Sequence, residues 1–182
     1  MIIVVLPGKF GCMAGLTSND EVVYRHMPTS TREFVRVVTS WMSGSKGPHV
    51  MYFDEFFMVN SLRLDLYRVD MAKMANSVGK LTGVGYALMD YVVPVDTREL
   101  LLADKATADG YDIGQPLETI AYHSAAKYFP YVKQSIENAG DMFFTLSPAL
   151  ALLGKVLDGE CPPTLHDRVK SNKEPDSFLF RS

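Results

Sequence analysis

The chain has 182 residues, 47% of them hydrophobic and 21% charged, with a formal net charge of −3 at pH 7. That balance excludes a disordered chain, and a domain this long buries roughly 70% of its unfolded surface, so it needs no disulfide or metal staple. Both charge signs are mixed and no run of Lys or Arg occurs, so nucleic acid is not indicated as a partner.

Ile2-Ile-Val-Val-Leu6 is a β-branched run closed by Pro7-Gly8, the pattern of a buried strand. It is too short for the apolar core of a secretory signal and has no basic residues before it. No apolar stretch approaches the roughly 18 residues of a membrane span. The expectation is a soluble chain without a membrane partner, located in the cytoplasm or in a particle assembled there. Residues 7–20, with Gly8, Gly11 and Gly15, read as loop, and Glu21 to Tyr24 as a second short strand.

Ser30-Thr-Arg-Glu33 is a capping box: the Ser30 hydroxyl accepts from the Glu33 N–H, and the Glu33 carboxylate can reach back. Phe34, Val37, Val38 and Trp41 follow on one helical face, and Gly44 stands where a left-handed residue ends a helix. His49 to Phe53 reads as a central strand. Helical spacing of Leu64, Tyr67, Met71 and Met74 predicts a helix from about 61 to 77. Gly79-Lys-Leu-Thr-Gly-Val-Gly85 reads as a turn, and Tyr86 to Val95 as a strand with Pro94 at an edge or bulge. Asp96 caps a short helix, Thr97 to Asp104, and residues 107–115 are loop. Pro116 to Phe129 carries the stripe Leu117, Ile120, Ala121, Ser124, Ala125 and Tyr128. Pro130 ends that helix and starts another, with Val132, Ile136 and Ala139 on one face up to Gly140. Ser147-Pro148 reads as an N-cap with proline at the first helical position, and Gly159 closes that helix.

Together these elements predict an α+β or mixed α/β fold in a single compact domain, residues 1–166. A small sheet from the N-terminal half is packed by helices, the C-terminal half is mostly helical, and residues 167–182 form an extended C-terminal arm.

Templates for chemistry fail on spacing. A phosphate-binding loop of the Walker type requires G-x-x-x-x-G-K-[ST], whereas Lys9 precedes Gly11 and Gly15 and no Gly-Lys-Ser/Thr occurs. Val50-Met-Tyr-Phe-Asp-Glu55 does have the form of an apolar strand ending in acidic residues that could hold Mg²⁺. Thr82-Gly-Val-Gly-Tyr-Ala-Leu88 puts Leu88 where a dinucleotide fingerprint needs a small residue. His26, His49, His123 and His166 show no metal-ligand spacing, and Cys12 and Cys161 are single, so no metal or other cofactor is expected. Cys12 in Gly11-Cys-Met-Ala-Gly15 sits one position early for a nucleophile elbow.

Two features point toward contacts instead. Ten methionines and 11% aromatic residues suit an adaptable surface as well as a core. Phe178-Leu179-Phe180, behind a charged segment, is apolar chain that gains nothing unless it buries against something. The expected function is a non-enzymatic structural subunit that self-associates or joins a larger complex, such as a virion or phage particle, with Phe178, Leu179 and Phe180 as contact residues. The alternative is a small nucleotide- or phosphate-processing hydrolase using Asp54 and Glu55, with Lys9 as a further candidate.

Overall fold

The computed structural model describes residues 1–7, 11–28, 30–54, 71–101, 117–140, 143–159 and 169–170. Among them six strands form one sheet: β1 (Ile2–Leu6), β2 (Cys12–Leu16), β3 (Val22–His26), β4 (Val50–Asp54), β5 (Tyr91–Val95) and β6 (Val169–Lys170). Their order is β3-β2-β1-β4-β5-β6. β1, β4 and β5 run parallel, with Ile2 beside Val50 and Val50 beside Tyr91. β2 and β3 are added to β1 as antiparallel strands, and β6 is antiparallel to β5. The helices are α1 (Thr31–Met42), α2 (Met71–Leu88), α3 (Leu117–Tyr128), α4 (Lys133–Glu137) and α5 (Phe143–Leu157), with a 3₁₀ turn, Pro130–Val132, leading into α4. The result is a mixed α/β domain, with most of the sheet drawn from the N-terminal half and a mainly helical C-terminal half.

Period-two alternation along the strands divides the core into two layers. Ile3, Val5, Met13, Met51, Phe53 and Val92 meet Phe34, Val37 and Val38 of α1, with Leu81 and Val84 of α2 packed alongside. On the other face Val4, Leu6, Ala14, Tyr52, Val93 and Val95 meet Ile120, Ala121 and Ala125 of α3 and Leu146, Leu150 and Leu153 of α5. Each wholly buried aliphatic side chain contributes about 1.5–3 kcal/mol. Among the described residues, the helices between the parallel strands, α1 and α2, therefore lie on one face, and α3 and α5 cover the other.

The expected α1 is present in detail. Glu33 N–H donates to Ser30 Oγ at 3.2 Å, and Gly44 has φ +85°. The Glu33 carboxylate accepts from Arg25 at 3.2 Å, which ties the first turn of α1 to β3. Gly140 and Gly159 also have positive φ, as their positions after helices require.

Four expectations are corrected. Residues 12–16 are not loop but strand β2, paired with β1 and β3. The stretch 79–85 is not a turn: α2 runs through it to Leu88. A Cβ on Gly85 would lie 3.1 Å from Met51 Sδ and 3.3 Å from Val92 Cγ2, so glycine here lets the helix approach β4 and β5 closely. Consequently residues 86–88 are helical, and the strand begins at Tyr91. Ser147-Pro148 is not an N-cap pair, since α5 already starts at Phe143 and carries Pro148 inside it. Pro148 has no N–H to donate to the carbonyl four residues earlier, and the helix runs on without that bond.

The predicted helix over 61–77 is covered only from Met71 onward, and its earlier part lies outside the described residues. Pro94 pairs with Phe53 on the β4 side, while the β6 ladder reaches only Tyr91 and Val92. Thus the proline stands beyond the outer ladder, where its missing N–H costs no bond. Of the C-terminal arm, Val169–Lys170 pairs with β5. Phe178, Leu179 and Phe180 lie outside the described residues.

Candidate functional site

The three parallel strands end at one edge. β1 stops at Leu6, one residue past the Val5–Phe53 pair, and Asp54 stands beside Val95 at the ends of β4 and β5. In open α/β sheets the carboxyl ends of the parallel strands are the usual ligand side, at the point where the strand order reverses, which here lies between β1 and β4.

Asp54 is the chemically distinctive residue of this edge. By alternation it belongs to the same strand face as Tyr52, the face covered by α3 and α5. It is fully buried, at 0% exposure. A buried carboxylate is costly unless hydrogen bonded. Asp54 Oδ1 accepts the backbone N–H of Thr97 at 3.3 Å, across 43 residues of sequence, and the residue is engaged in further interaction besides this bond.

Thr97 opens a short helical segment, residues 97–101. Asp96 caps it as its position predicts: Asp96 Oδ1 accepts from Glu99 N–H at 3.0 Å and Asp96 O from Leu100 N–H at 3.2 Å. Thr97 is itself buried, at 1% exposure, and its hydroxyl has no hydrogen-bond partner among the described residues. The carboxyl edge thus holds a buried carboxylate that accepts the backbone N–H of Thr97, a residue whose own hydroxyl is buried.

Of the other candidates read from sequence, Lys9 and Glu55 lie outside the described residues. The structure places Asp54 at the strand end, as its position after an apolar run implies. Thr97 was not among the sequence candidates. Its only signal is that it follows a capping aspartate directly after a strand, and that signal becomes specific once β5 is known to lie next to β4.

Cys12 is a free, buried thiol at the start of β2. Burial pushes it up to about 12, and its Sγ donates to Met13 O at 3.6 Å. A nucleophile must be thiolate at working pH, so Cys12 is packing and not chemistry. His26 and His123 are exposed, the latter set against the Tyr122 ring, and His166 lies outside the described residues. His49 is half-buried, its Nδ1 is 3.3 Å from the Met1 amine, and its backbone N–H donates to Asp90 Oδ2 at 2.9 Å. Burial lowers its pKa, and the neighbouring amine adds to that. Among the described residues no group of three or more His, Cys, Asp or Glu side chains is placed to hold a metal ion, and no helix is long and apolar enough to cross a membrane.

Tyr122 donates to the Glu137 carboxylate on the outer surface of the α3 layer, a bond that pushes the phenol up to about 12. This pair fastens α3 to α4 and is not part of the carboxyl edge.

No protein-family model matches the sequence, and no curated protein matches it. The site is therefore defined by its own residues: Asp54 and Thr97 at the carboxyl edge of the parallel strands.

Proposed function

We propose that this chain is a small α/β protein that binds and processes a phosphorylated or nucleotide substrate at the carboxyl edge of β1, β4 and β5, with Asp54 at the centre of the site. The observation that carries this reading is the wholly buried carboxylate ending the middle parallel strand. An acidic group is a poor choice for filling a core, since an apolar residue of similar volume packs there without desolvation cost. At a strand end it can orient a cation or take a proton from an attacking water. The test is equilibrium titration of the folded protein with Mg²⁺ and nucleoside mono-, di- and triphosphates, comparing wild type with Asp54→Asn.

A second reading is favoured by a separate observation. Among the described residues no strand lies beyond β3, the outermost strand, which leaves Val22–His26 as an edge for strand addition. This keeps the assembly-subunit reading, with Phe178, Leu179 and Phe180 as contact residues, as a proposal. Light scattering over a concentration series, on the full chain and on a truncation ending at Asp176, tests it. An oligomer that becomes a folded monomer on truncation supports assembly through the arm, and equal monomers contradict it.

A further inference from the structure

We infer that the outer edge of β3 is a dimerisation surface, to which a second copy of this chain adds its own β3 antiparallel about a two-fold axis at Val23, so that Arg25 of each copy faces Glu21 of the other. This goes beyond the phosphate site and does not depend on it. It gives the edge named in the second reading above a specific occupant and register, without the C-terminal arm.

The first question is which backbone groups of β3 face outward. Met27 N–H donates to Gly11 O at 2.9 Å, and Thr17 N–H donates to Glu21 O at 3.0 Å. These bonds close the two ends of the β2–β3 ladder, in which Arg25 stands beside Met13 and Val23 beside Gly15. Bonded and non-bonded pairs alternate in an antiparallel ladder, so Glu21, Val23, Arg25 and Met27 turn their N–H and C=O toward β2. Val22, Tyr24 and His26 turn theirs away from the sheet. Arg25 Nε donates to His26 O at 3.0 Å and so covers one outward carbonyl. Among the described residues no strand or side chain does the same for Val22 and Tyr24. Trp41 of α1 lies over Gly15 of β2, and α5 packs on β1 and β2. Val22, Val23 and Tyr24 at the margin of both layers are half-buried.

Charge and register then select the occupant. An open edge accepts an extended chain whose outward groups meet its own. Centred on Val23, a second β3 bonds Val22 to the partner's Tyr24 and Tyr24 to the partner's Val22, each a pair that exchanges both N–H···O bonds. The same register sets Arg25 opposite the partner's Glu21 and His26 opposite the partner's Asp20, each repeated by the symmetry. Opposite charges facing each other across a strand pair are stabilising. His26 O lies beyond this ladder, so Arg25 keeps its bond to it. Centred on Tyr24 instead, the pairing sets Arg25 against the partner's Val23 and needs His26 O, which Arg25 already occupies. Centred on Val22, it runs into the turn that Asp20 N–H closes on Thr17 O. Only the register at Val23 satisfies both backbone and charge. On the α3 and α5 face it also lays Val22 against the partner's Tyr24, which covers apolar surface that is half-exposed in one copy.

The test is sedimentation velocity on the full chain over a concentration series, joined with disulfide trapping of single cysteines in a Cys161→Ser background. Wild type is expected to dimerise, and added salt to weaken the dimer, because charges at a surface are screened. Glu21→Arg makes both facing pairs like-charged and is expected to weaken dimerisation about tenfold or more. Glu21 is exposed, and circular dichroism confirms that the variant is folded. Mixing Glu21→Arg with Arg25→Glu is expected to restore association as a heterodimer, since each chain then faces charges opposite to its own. Oxidation is expected to trap a dimer through Val23→Cys, which meets itself on the axis, and not through Tyr24→Cys. A wild type that is monomeric at every concentration overturns the inference. So does a dimer that Glu21→Arg leaves unchanged, or one trapped through Tyr24→Cys and not Val23→Cys. A dimer lost on truncation at Asp176 yet intact in Glu21→Arg overturns it in favour of the arm. None of these results alters nucleotide binding at Asp54, so the proposed function stands or falls separately.

Discussion

At the scale of single residues, the fold separates two kinds of buried polar group. Cys12 is buried as a small hydrophobe, and its surroundings raise its pKa from the ordinary 9.0 to about 12. A thiol that keeps its proton in the folded state and loses it when unfolded adds stability that is fully present below the ordinary value. That stability is lost as pH climbs from 9.0 toward about 12. Two outcomes follow at this site. In a Cys161→Ser background, Cys12 should react with a disulfide reagent at least about a thousandfold more slowly in the native protein than in urea, the factor set by global opening. Replacing Cys12 with Ala should flatten the alkaline loss of stability. A native Cys12 that reacts like an exposed thiol would contradict its placement under α5. Asp54 and Thr97 are the other kind, since burial gives them no packing advantage over apolar residues of the same size.

At the scale of elements, legibility followed the range of the forces involved. α1 was readable to its ends because its signals are local: Ser30 caps Glu33, Phe34, Val37 and Val38 share a face, and Gly44 takes positive φ. β2 was not readable, because Gly15 in a short segment looks like loop. Its glycine is there for contact, since a Cβ would come within 2.9 Å of Met1 Cε and 3.2 Å of Ile2 O. α2 was misread for the same reason at Gly85. The sequence shows a glycine but not whether conformation or close approach requires it.

Gly154 makes this distinction testable. A Cβ there would overlap the Tyr128 ring where α3 and α5 meet, whereas a Cβ on Gly79 in α2 would meet nothing within 4 Å. Gly154→Ala should destabilise the protein by about 1–3 kcal/mol through overpacking, and Gly79→Ala should stabilise it by about 0.5–1 kcal/mol through helix propensity. Urea unfolding measures both. Equal effects of one sign would show that the α3–α5 contact is not as close as described.

At the scale of the whole molecule, what the sequence withheld was adjacency. The apolar run Val50 to Phe53 followed by Asp54 was visible, and so was Asp96 capping the segment after Val95. That these two ends lie side by side depends on β4 and β5 pairing in parallel, which no local pattern encodes. The class of fold was legible because strand and helix signals segregate along the chain. The strand order, with β1 in the middle of the sheet, was not. The candidate site is a consequence of that order: Asp54 and Thr97 come together only because β4 and β5 are neighbours.

The central claim, that this edge binds a phosphorylated ligand through Asp54, is tested most directly by calorimetric titration of Mg²⁺ and nucleoside phosphates into wild type and Asp54→Asn. Circular dichroism on both proteins confirms that each is folded. The account predicts saturable binding of at least one nucleoside phosphate by wild type. It predicts a loss of about tenfold or more in Asp54→Asn, the ratio that corresponds to 1.4 kcal/mol of interaction. Equal binding by the two folded proteins, or no binding by wild type to any member of the series, would contradict it.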